Sequence, residues 1–101
     1  MTSAYNVIHC ITSVFLERVV VLFSMYAIHL LLQALKSEAE TLKQAGNELF
    51  KNGEYVQAIS QYTQGLQTCP LAYSKERSIL YANRAAAKAK CQVIVKDAFI
   101  D

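Results

Sequence analysis

Three polar side chains and one aromatic ring in this chain are of the right type and spacing for binding chemistry. Lys43, Asn47 and Phe50 follow an i, i+4, i+7 series, so on a helix they share one face. Leu42, Ala45 and Leu49 occupy a different face, an apolar stripe suited to packing on a neighbouring helix. Asn83 contributes a second side-chain amide. An ammonium, two amides and a ring can together line a groove, and the polar groups are suitable donors for the terminal carboxylate of a peptide. Plainer roles remain open. Asn47 and Asn83 could be surface amides that cap or bridge helices, and Lys43 an ordinary solvated lysine.

Catalysis has no comparable support. The chain shows no nucleophile–base pair, no paired carboxylates and no Gly-rich phosphate loop, and it holds three glycines in all. An enzyme is therefore not expected, nor is a cofactor. His9 and Cys10 are adjacent but lack further ligands at metal-site spacing, so no metal is expected. A net charge of +2 argues against a nucleic-acid partner. The three cysteines, Cys10, Cys69 and Cys91, are odd in number and form no CxxC pair; they read as free thiols of a reducing compartment.

The elements that must position these groups can be read from periodicity. From Glu38 to Asn52, Leu42, Ala45, Gly46, Leu49 and Phe50 recur at helical spacing. Ser37 is placed as an N-cap and Glu40 as its capping-box partner. Asn52 and Gly53 stop the helix, since glycine tolerates the left-handed conformation a helix end needs. A second helix follows at once, on Tyr55, Ala58, Ile59, Tyr62 and Leu66, and Pro70 closes it. Small residues at Gly46 and Ala58 allow the two helices to cross closely, with Tyr62 filling the space beside them.

The stretch from Ala39 to Pro70 closely resembles one tetratricopeptide repeat, a helix–turn–helix unit that stacks on copies of itself. Gly46, Tyr55, Ala58, Tyr62 and Pro70 fall on the family's characteristic positions. Gly65 stands where the family usually has alanine, a change costing about 0.5–1 kcal/mol in a helix interior. After a loop from Leu71 to Ser74, the alanine-rich run Lys75–Lys90 looks like the first helix of a second repeat. The agreement then stops: CQVIVKDAFID has no glycine, carries β-branched residues at 93–95, and its 11 residues are too few for a second helix and a cap. The expected fold is all-α: a tetratricopeptide helix–turn–helix array of one full repeat plus the first helix of a second, truncated one, preceded by an apolar N-terminal helix. The expected divisions are 1–36, 37–70 and 71–101.

LKQAGN (42–47) and YANRA (81–85) also resemble the two signatures of chaperone-binding members of the family. The resemblance implies that Lys43, Asn47 and Asn83 grip the C-terminal aspartate of heat-shock proteins, with Phe50 lining the groove. That subfamily also uses a lysine and an arginine from a third repeat, which this chain lacks. The implied function is a non-enzymatic, cytoplasmic adaptor of co-chaperone type, whose partners are C-terminal peptides of heat-shock chaperones.

The first 35 residues differ in kind. They carry two charges, Glu17 and Arg18, while the remaining 66 residues carry the other 16. Val19 to Leu35 is a 17-residue run without charge, at the lower limit for a bilayer span. Three readings stand: a membrane anchor, a helix covering the exposed end of the repeat, or a segment without a selected role. On the first, the chain is membrane-anchored; on the last, it is a repeat fragment without independent binding function.

Overall fold

A computed structural model describes the backbone of residues 2–100 and the side chains of residues 3–96. It contains three helices, α1 (Thr2–Lys51), α2 (Tyr55–Thr68) and α3 (Ser74–Ile100), and no strand among the described residues. The chain divides into two compact units, Met1–Leu32 and Gln33–Asp101.

The first unit is the N-terminal part of α1. Its large apolar side chains lie in solvent: Phe15, Leu22 and Phe23 are 66%, 66% and 73% exposed. By length and composition, α1 qualifies as a helix able to cross a membrane.

The second unit holds the rest of α1, together with α2 and α3. The expected helix start at Ser37 is not there, because α1 is already running when it reaches that residue. The Ser37 carbonyl instead accepts a hydrogen bond from the Thr41 hydroxyl at 3.2 Å, and Glu40 turns to Lys43 rather than back to a cap. LLLQALKSEAE contains no glycine or proline and is rich in strong helix formers, so no preceding break exists for a cap to exploit. Helix α3 likewise exceeds its expected end at Lys90 and continues through Val93–Val95. β-branched residues cost only a few tenths of a kcal/mol each in a helix, and no glycine or proline interrupts them.

The turn between α1 and α2 is a Schellman motif. Gly53 has φ +80°, its N–H donates to the Phe50 carbonyl at 3.1 Å, and the Glu54 N–H donates to Leu49 at 2.9 Å. A Cβ added at Gly53 would meet nothing within 4 Å, so backbone conformation, not space, calls for glycine there. Gly46 is the opposite case. Its Cβ would lie 2.5 Å from Tyr62 Cε1, and the missing methyl is what lets α1 and α2 approach.

Ala39, Ala58, Tyr62, Leu66, Cys69, Leu80 and Ala87 form one buried cluster, with Leu49, Phe50, Ile59 and Tyr73 packed against it. Gly65 belongs to this design, since a Cβ there would sit 3.1 Å from Leu80 Cδ2. The room an alanine would take is filled from α3 by a leucine 1% exposed. Arg77 then ties α3 to the end of α2. Its Nη1 donates to the carbonyls of Leu66 at 2.7 Å and Cys69 at 2.8 Å, satisfying acceptors that a helix C-terminus leaves without partners. The three helices thus form an all-α array of tetratricopeptide type.

Candidate functional site

The C-terminal part of α1 and the first half of α3 carry the sequence-predicted site residues. Asn47 and Asn83 come together across the two helices. Asn83 Nδ2 donates to Asn47 Oδ1 at 3.2 Å, and the Tyr62 hydroxyl on α2 donates to the same oxygen at 2.6 Å. Two donors on one carbonyl oxygen fix the amide's orientation and leave Nδ2 as the donor end of Asn47. One tyrosine therefore fills the gap above Gly46 and aims the amide next to it. Burial pushes the Tyr62 phenol above its ordinary range, so it stays protonated and donating.

Lys43 lies elsewhere on the same unit. It lines a cavity of about 210 Å³ whose wall comes from α1 (Lys36, Ala39, Glu40, Lys43) and α3 (Glu76, Ile79, Leu80). Neither Asn47 nor Asn83 lines this cavity; Asn47 lines a second, on α1, with Gln44 and Glu48. Phe50 goes to the hairpin turn, edge-on to Tyr55 with ring centroids 5.1 Å apart and planes at 72°. The two amides are joined, whereas the ammonium and the ring are each engaged with other neighbours.

The cavity is balanced in charge. Lys43 Nζ is 2.9 Å from Glu40 Oε1, and Lys36 Nζ is 3.5 Å from Glu76 Oε1. Lys36 also sits over the Tyr73 ring, 4.9 Å from its centroid, an attraction of cation to π face. Glu76 is in the first turn of α3. Its own backbone N–H first, and the Lys36 ammonium next, hold its carboxyl below the usual carboxylate range. Ala39, Ile79 and Leu80 add apolar lining to the cavity, and the two lysines give it a cation at two points.

No family model matches the chain, and no solved structure matches it. Curated relatives match it in part. It is 45% identical over 49 residues to the human mitochondrial import receptor subunit TOM70, covering 48% of this chain and 8% of that protein. It is 41% identical over 64 residues to the human mitochondrial import receptor subunit TOM34, covering 57% and 21%. Over 56 residues it is 45% identical to serine/threonine-protein phosphatase 5 of Solanum lycopersicum, covering 55% and 9%. The chain thus spans between about a twelfth and a fifth of the length of these relatives.

Several residues of the site were not singled out from the sequence. Lys36 had a usable signal, since it precedes Lys43 by seven positions and so shares its helix face. Glu76 and Tyr73 had none, because their partner Lys36 is on another helix and far away in sequence, and Arg77 had none, because it bonds backbone carbonyls at the end of α2 rather than a side chain.

Proposed function

We propose that this chain is a non-enzymatic protein–protein interaction module of adaptor or co-chaperone type. Its partners in this reading are C-terminal peptides of heat-shock chaperones, met in the cytoplasm. The observation that carries it is the amide pair Asn47–Asn83, locked across α1 and α3 by Tyr62. Amide donors fixed in place lose little side-chain freedom when a carboxylate arrives. Lys43, 21% exposed at its side chain, supplies the charge that strengthens such a contact. The run from Cys69 to Lys90, with its long loop and KERSIL, further resembles tetratricopeptide repeat protein 1. The names of two matched relatives, import receptor subunits, are in keeping with recognition of other polypeptides. Titration with a peptide ending in Glu-Glu-Val-Asp, against the same peptide amidated at its C-terminus, tests the reading. Tighter binding of the free acid supports it; equal binding, or none, removes it.

A second reading is favoured by a separate observation. The first unit is helical and apolar, and its large apolar side chains are uncovered. In it, Val19–Leu35 tethers the module to a membrane, with Arg18 and Lys36 at the two ends of the uncharged run. Retention in the membrane pellet after carbonate extraction supports a tether, and full release into the supernatant removes it.

A further inference from the structure

The two lysines of the 210 Å³ cavity are both paired, but they are not held alike. Lys36 is fixed from two elements, by Glu76 at 3.5 Å and by the face of Tyr73. Lys43 is held by Glu40 alone among the ion pairs of the described residues, and Glu40 is one helical turn away on the same helix. The ammonium is the more enclosed partner, its side chain 21% exposed against 46% for Glu40. Rotating the Glu40 carboxylate into water would uncover Lys43 without moving a helix, whereas uncovering Lys36 would cut a contact between α1 and α3.

We propose that Glu40 is an internal competitor for Lys43: its carboxylate occupies the ammonium that an incoming peptide carboxylate needs, and so lowers the affinity of the site for anionic ligands. The inference rests on the reading of Lys43 as a peptide-carboxylate contact. The internal carboxylate is always within reach, one turn away on a rigid helix, so the ligand must displace it or share Lys43 with it. Sharing brings two carboxylates within a few ångströms. Unit charges ~4 Å apart in water repel by ~1 kcal/mol, a factor of about five in affinity.

The test uses the full chain and four titrations each for wild type, Glu40→Gln and Glu38→Gln at two salt concentrations. The probes are the free-acid and C-terminally amidated forms of one peptide ending in Glu-Glu-Val-Asp. Glu40→Gln keeps the shape and an acceptor for Gln44, which now donates to Glu40 at 3.4 Å, while removing the charge. Glu38→Gln removes the same charge from an exposed neighbour on α1. The expected result is that Glu40→Gln tightens the free acid about fivefold, with the gain shrinking at high salt. The amide and the Glu38→Gln protein should change by less than about twofold. An equal gain from Glu38→Gln overturns the proposal, because net charge would then explain it. So does wild type that prefers the free acid with no gain in Glu40→Gln. If no variant distinguishes free acid from amide, the carboxylate reading itself falls, and the proposal with it.

Discussion

The two parts of α1 belong to different units and have different surroundings. In the first unit, Ile8, Phe15, Leu22 and Phe23 are all more than half exposed. In the second, Ala39 and Gly46 are buried beneath side chains of α2 and α3. The more hydrophobic half therefore has no core, and the half with small and polar residues has one. Apolar area stabilises only when something removes it from water, and in the second unit that is done by close approach. Gly46, Ala58 and Gly65 let neighbouring helices come near enough for Tyr62 and Leu80 to be sealed in.

The sharpest way to break this contrast is to empty the sealed space. Tyr62→Ala removes a side chain 1% exposed together with the hydroxyl that holds Asn47. It should cost about 3–5 kcal/mol, read as a lowered midpoint in chemical denaturation followed by circular dichroism. Filling the space should cost less. Gly46→Ala places a methyl 2.5 Å from the Tyr62 ring, an overpacking expected to cost about 1–3 kcal/mol. Arg77→Ala leaves the carbonyls of Leu66 and Cys69 without their donor, and a loss of about 1.5–3 kcal/mol is expected by the same measurement.

Acid provides a smaller effect at the cavity. The Glu76 carboxyl is held below its ordinary value in the folded chain. Its contribution is therefore fully present above the unfolded carboxylate range, and is lost as pH falls through the lowered folded value. The second unit should lose stability on acidification below about pH 4, and Glu76→Gln should flatten that part of the profile. The smallest effect belongs to the first unit. Val20→Ala trims a side chain already 61% exposed, so the melt in water should shift by less than about 0.5 kcal/mol. A larger loss would show that the apolar half has a packing partner after all, and the contrast would need to be redrawn.

Local signals in the sequence hold where the physics is local. Gly53 marks the stop of the first helix in the sequence, and it sits at φ +80° in a Schellman turn. Pro70 predicts the close of the second helix, and α2 ends at Thr68. Two sequence-predicted boundaries give way to longer helices for one reason. Ser37 has cap chemistry, and 93–95 have strand-like propensity, yet both are preferences worth at most about a kcal/mol that a continuing helix outweighs. For the site, spacing placed Lys43 and Asn47 on one helix face, but could not show that Asn47 turns to Tyr62 and Asn83 while Lys43 turns to Glu40. The choice at Asn47 depends on which donors meet it across 15 and 36 residues of chain, whereas Glu40 is three residues from Lys43 on the same helix.

By itself the sequence determined the all-α class, the helix–turn–helix hairpin and its small-residue crossing, because propensity, periodicity and glycine conformation act over a few residues. Only the tertiary structure decided that Leu80 fills the room beside Gly65, that Arg77 closes the end of α2, and that Lys36 already holds the Glu76 carboxylate. Packing and charge pairing are settled between elements, where distance in space is no longer fixed by distance along the chain.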